Sequence, residues 1–156
     1  MLAAFRLSRH GDSVLLYPEG AKLLDDGVNE VLEWLNAYPK ARMHLENALK
    51  FYLNGETTQY RNLLDELRLG LEQLLRAVLK NRRSLENQKP YLNEWLKDKK
   101  VHKQLANLFA TLLFGPYTLF QNDAVKHGDE SNDQDAEFMI YLTATFMRFL
   151  LTLDAT

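Results

Sequence analysis

Tyr60–Leu79, YRNLLDELRLGLEQLLRAVL, is the stretch whose reading decides the fold. Tyr60, Leu63, Leu64, Leu67, Leu71, Leu74, Leu75, Val78 and Leu79 recur at steps of three, four and one. That is the period of one face of an α-helix, sustained over about five turns. On the other face Arg61 and Asp65, Arg68 and Glu72, and Glu72 and Arg76 stand four apart, a spacing at which opposite charges pair along a helix surface. Gly70 sits mid-helix, where it costs about 1 kcal/mol relative to alanine. A tight crossing of another helix at that point is the expected reason.

The same period extends on both sides. Upstream, Asp25 or Asp26 is placed to cap a helix carrying Val28, Val31, Leu32 and Leu35 and ending near Tyr38-Pro39. Pro39 opens the next helix, with Ala41, Leu45, Ala48, Leu49 and Tyr52 on one side and Gly55 just past its end. These two predict a helical hairpin. Before them, FRLSR and SVLLY flank His10-Gly11-Asp12, which predicts a short β-hairpin, and Pro18, Glu19 and Gly20 break the chain. Downstream, Pro90 opens a short helix through Trp95. Val101, Leu105, Leu108, Phe109, Leu112 and Leu113 mark a helix that runs into Gly115-Pro116, where proline breaks or kinks it. Tyr117 to His127 resumes it, and a last helix runs from near Asn132 to about Leu153. The fold class is all-α: a helical bundle with a small N-terminal extension. The last helix is apolar nearly all round. It is therefore central to the bundle or shared with a second subunit, and a homodimer is expected.

A chain of 156 residues suits one domain able to bury a core without metal or disulfide. It has no cysteine, which removes disulfide and thiolate chemistry and suits a cytoplasmic location. MLAAFRLSRHG lacks an apolar run of signal-peptide length. Phe138–Leu153 is interrupted by Arg148 and three threonines, reads as shorter than a membrane span, and predicts no membrane partner. No metal or cofactor is expected. The alternating Asp129, Ser131, Asp133 and Asp135 lack the glycine and closing glutamate of a calcium loop. There is no glycine-rich phosphate loop and no histidine pair of the zinc-protease kind. Trp34 and Trp95 read as packing residues.

The formal net charge is −2, but its distribution is uneven. Arg76, Lys80, Arg82, Arg83, Lys89, Lys97, Lys99, Lys100 and Lys103 are opposed between 76 and 103 only by Glu86, Glu94 and Asp98. Such a segment marks an anionic partner, a nucleic acid being one, or else a solvated loop and two helix ends. In the first reading Arg76, Lys80, Arg82, Arg83, Lys97, Lys99, Lys100 and Lys103 are the nucleic-acid-binding residues. The run from Lys97 to Lys103 reads as a helix start, where the dipole disfavours cations and a phosphate partner would offset the cost.

LFQNDAVKHGDESND, Leu119–Asp133, is a polar island between two apolar segments. One reading is structural. Lys126 and His127 close a helix before Gly128, Ser131 with Gln134 makes a capping box, and Asp133, Asp135 and Glu137 meet the positive end of the next helix. The other reading is chemical. Asp123 stands one turn before His127 and can orient its imidazole, and Asn122 stands one turn before Lys126. A positioned histidine takes a proton from a hydroxyl while a nearby cation stabilises phosphate charge. The catalytic candidates are His127 as base, Asp123 as its orienting group, and Lys126 with Asn122 at the phosphate.

The order of an amphipathic helix with Arg68-Leu-Gly-Leu-Glu72, further helices, NDAVKHG and a final apolar helix resembles the HEPN superfamily of prokaryotic all-α domains. The resemblance covers roughly 57–156 and leaves 1–56 as an extension. It implies a metal-independent, dimeric endoribonuclease of a phage-defence or toxin–antitoxin system. Residue by residue, His127 matches the family's motif histidine and Asp123 its polar residue. Asn122 stands where the motif has arginine, so Lys126 or Arg68 would have to supply the charge. Non-catalytic members implied by the same resemblance act as helical protein-interaction or dimerisation modules.

Overall fold

The computed structural model describes the backbone of residues 5–10, 13–18, 22–55, 57–127 and 132–156, and side chains at 25–55, 58–123 and 132–156. Among the described residues there are seven α-helices: α1 (Lys22–Trp34), α2 (Pro39–Leu53), α3 (Tyr60–Val78), α4 (Lys89–Asp98), α5 (Lys103–Leu112), α6 (Thr118–His127) and α7 (Asp133–Asp154). Ahead of them β1 (Phe5–His10) and β2 (Ser13–Pro18) pair antiparallel, from Phe5 opposite Pro18 to His10 opposite Ser13.

The periodic stripe of α3 is the centre of the core. Tyr60, Leu63, Leu64, Leu67, Leu71, Leu74, Leu75 and Val78 are all buried. They pack against α2 along one side and α7 along another, and α1 packs on α7. Val28 to Leu49 of α1 and α2 share this single core with α3 and α7. The crossing at Gly70 is close. A β-carbon there would lie 3.2 Å from the His44 Cβ, 3.2 Å from the Met147 Cε and 3.4 Å from the Ala41 carbonyl oxygen.

Several local features differ from expectation. Asp25 does not cap α1, which begins at Lys22; it is buried in the first turn and accepts a hydrogen bond from the Tyr141 hydroxyl. Arg76 pairs with Glu72 at 2.7 Å as spaced, but Arg68 reaches across to Glu86 instead of along its own helix. Gly115-Pro116 does not break the helix. The chain takes a π-helical turn over Leu113–Tyr117 and runs on into α6. The wider turn accommodates a ring that an α-turn would exclude, and the Thr118 hydroxyl donates to the Gly115 carbonyl at 3.2 Å.

α7 has 22 residues, so its length and composition would suffice to cross a bilayer. Half of its most apolar window is buried inside the bundle. Four tyrosine–carboxylate hydrogen bonds tie it to its neighbours: Tyr60 to Asp133, Tyr52 to Glu137 at 3.4 Å, Tyr141 to Asp25 at 2.7 Å, and Tyr38 to Asp154.

Candidate functional site

α6 is one uninterrupted helix from Thr118 to His127. At 100° per residue, Asn122, Lys126, Asp123 and His127 fall in that order within an arc of about 140°. Asn122 and Asp123 are exposed. The side chains of Lys126 and His127 lie outside the described residues, as do Gly128 and Ser131. The helix thus brings the four backbone positions to one side of its last two turns, with a carboxylate one turn before the histidine.

The opposite side of α6 is anchored. Tyr117 is buried, its hydroxyl 2.8 Å from the Thr143 Oγ1 of α7. Thr143 spends its own proton on the Met139 carbonyl at 2.7 Å, so Tyr117 is the donor of the first bond. Burial pushes the Tyr117 phenol up to about 12. Gln121 is buried one turn later, its amide beside that phenol. These groups fix the rotation of α6, and so decide which of its residues face outward.

α7 begins with Asn132, whose side chain accepts from the Asp135 backbone N–H at 2.8 Å. The cap is therefore Asn132 and not Ser131. Asparagine is a strong N-cap, and Asp133 and Asp135 in the first turn complement the helix dipole.

The basic segment is bounded by two left-handed turns. α3 ends in a reverse turn with Lys80 left-handed (φ 53°), Asn81 N–H bonding the Arg76 carbonyl at 3.0 Å. α4 ends the same way with Lys100 left-handed (φ 57°) and Val101 N–H on the Leu96 carbonyl at 3.1 Å. Lys97 lies in the last turn of α4 and Lys99 caps it. The run therefore ends one helix instead of starting another, because α4 continues past Trp95 to Asp98. Cations are favoured there by the dipole, and no phosphate is needed to explain them. Only Lys103 starts α5.

Between the two helices, Asn81 and Gln88 exchange a reciprocal pair of amide hydrogen bonds at 2.9 Å. Arg76 donates to the Arg83 carbonyl at 2.8 Å, and Arg83 stacks 4.6 Å over the Tyr91 ring. Arg82 is exposed and lines a groove of about 710 Å³ with Lys40, Gln73, Arg76 and Asn81. Arg68 is paired with Glu86.

Val101, Leu105, Leu108, Phe109, Leu112 and Leu113 mark the period of the fifth helix. Only Phe109, Ala110 and Leu113 of that helix are buried. Leu105, Leu108, Leu112 and, on α6, Leu119 are exposed. Their signal was the width of the apolar arc on α5, which exceeds the single stripe that one neighbour covers.

No family model matches the chain, and no curated protein or solved structure matches it.

Proposed function

We propose that the chain is a HEPN-like helical domain that acts on RNA as a metal-independent endoribonuclease, in the setting of a defence or toxin–antitoxin system. The observation that supports this reading is the placement of Asn122, Asp123, Lys126 and His127 on one side of a single helix end that is held from behind by Tyr117. In it, His127 withdraws the proton of a ribose 2′-hydroxyl, Asp123 orients the imidazole, and Lys126 with Asn122 holds the phosphate. The test is cleavage of single-stranded RNA by the purified protein in chelator. Cleavage that disappears in His127→Ala, with the fold retained by circular dichroism, supports the reading. Cleavage undiminished by His127→Ala overturns it.

A second reading, a non-catalytic interaction module, draws on the uncovered leucines of α5 and α6. It predicts no cleavage under any condition and association through that face.

A further inference from the structure

Trp34, the last residue of α1, shares the walls of a pocket of about 510 Å³ with Tyr38 and the last turn of α7. That volume suits a small molecule. The walls are of two kinds. Trp34, Tyr38, Leu151 and Ala155 are aromatic or apolar, and Trp34 is left 37% exposed. Asp154 is the one charged residue on them among the described residues. Its carboxylate is half-buried and accepts the Tyr38 hydroxyl through Oδ2. No cation pairs with it among the described residues. The last turn of α7 contains no basic residue, so the negative end of that helix adds to the charge of Asp154.

These walls discriminate by charge. An anion would meet Asp154 and the helix end with like sign. A neutral apolar molecule would strip water from the carboxylate and return no counter-charge. A cation with an apolar body meets neither obstacle. Its charge lies at Asp154, its body lies against Leu151, and aromatic rings attract a cation placed over their faces. Trp34 already does this with Arg148, whose guanidinium carbon is 4.9 Å from the ring centroid. Arg148 lines a separate groove with its partner Glu30 and is not on the walls of this pocket. An indole has two faces, and Arg148 takes one. Lys40 lines the adjoining groove beyond Tyr38, again outside the pocket.

We propose that this pocket binds an organic ammonium ion, with Asp154 as its counter-charge and Trp34 as its aromatic wall. The Tyr38 hydroxyl holds one carboxylate oxygen in place and leaves Oδ1 to the ligand. The site shares no residue with the candidate site on α6 and does not rest on the RNA reading. A protein that binds ammonium ions and cleaves no RNA overturns that reading and leaves this one intact.

The experiment is titration of the full chain with four probes of one size: benzyltrimethylammonium, benzylammonium, benzyl alcohol and benzoate. The readout is the Trp34 indole N–H and Ala155 amide resonances. Both ammonium ions are expected to shift them saturably, with Kd on the order of 1 mM for molecules this small. The alcohol and the benzoate are expected to bind far more weakly. The order of the two ammonium ions tells whether the rings or a hydrogen bond to the carboxylate dominates, and either order supports the proposal. Asp154→Asn keeps an acceptor for the Tyr38 hydroxyl and removes the charge, so the ammonium ions should bind about tenfold more weakly. Trp34→Leu should weaken them several-fold, read at Ala155. If Asp154→Asn melts early, the comparison of charged and neutral probes on the parent decides. No saturable shift by about 10 mM ammonium ion, benzyl alcohol or benzoate bound as tightly as the cations, or a folded Asp154→Asn that binds them unchanged overturns the proposal.

Discussion

The Tyr141 hydroxyl of α7 donates to the Asp25 carboxylate of α1 at 2.7 Å, and that carboxylate is buried. The bond joins the last helix to the first, and three more phenol–carboxylate bonds of the same kind, made by Tyr38, Tyr52 and Tyr60, hold α7 along its length. Burial first, and then the partner carboxylates, push the Tyr38 and Tyr52 phenols up to about 12. Tyr60 and Tyr141 are raised by the same causes. An unfolded phenol titrates near 10, so the folded chain holds these protons more tightly. The resulting stability is fully present below about pH 10 and is lost as pH rises through the folded values near 12. Urea unfolding should show a flat plateau to about pH 10 and a steep fall above it. Tyr141→Phe should lower stability by about 1–2 kcal/mol at neutral pH and show a shallower alkaline fall than the parent, because no phenolate then forms beside Asp25.

Gly70→Ala sets two effects against each other. Alanine gains about 1 kcal/mol of helix propensity. Its methyl would meet the His44 Cβ and Met147 Cε at 3.2 Å and the Ala41 carbonyl at 3.4 Å. The methionine end can yield, but His44 Cβ and the Ala41 carbonyl move only with the backbone of α2. Overpacking typically costs about 1–3 kcal/mol. The variant should therefore be less stable by about 1 kcal/mol, read as a lower urea midpoint at unchanged slope.

Lys80 and Lys100 occupy the left-handed position that follows a helix, where glycine is the usual residue. A side chain in that conformation costs about 1 kcal/mol. Lys80→Gly and Lys100→Gly should each raise stability by up to about 1 kcal/mol in thermal or urea melts. Neither the Asn81–Arg76 nor the Val101–Leu96 backbone bond needs to change.

Much of this architecture is legible in the residues. The stripe of α3 gave its buried face residue by residue, and Gly70 marked the crossing, because both depend on local spacing and size. The start of α1 was not legible, since Asp25 looks like a cap in sequence and is claimed instead by Tyr141, 116 positions away. That the lysines from Lys97 to Lys100 end a helix is not legible, because the left-handed turn at Lys100 has no glycine to announce it. At the candidate site, the four-residue spacing of Asp123 and His127 was readable. The burial of Tyr117 and Gln121 behind it was not, because it depends on Thr143 of a different helix.

Glu72 tests how rigidly the basic loop is held. It is buried, pairs with Arg76 at 2.7 Å and accepts the Leu85 backbone N–H at 2.9 Å. It thereby fastens the turn before α4 to the middle of α3. Glu72→Ala would leave the Leu85 N–H without its acceptor and Arg76 without its counter-charge. Removing one partner of a buried charged pair costs about 3–5 kcal/mol, and the exposure of Arg76 places this loss at the lower end. Glu72→Gln keeps one acceptor, enough for the Leu85 N–H, but loses the charge and sets its amide NH2 against the Arg76 guanidinium, so it should cost less than Glu72→Ala without being neutral. Amide hydrogen exchange separates the two. The Leu85 amide should exchange much faster in Glu72→Ala and stay protected in Glu72→Gln. Equal protection in both would mean that Gln88, through its bonds to Asn81 and the Arg83 carbonyl, holds the loop without Glu72.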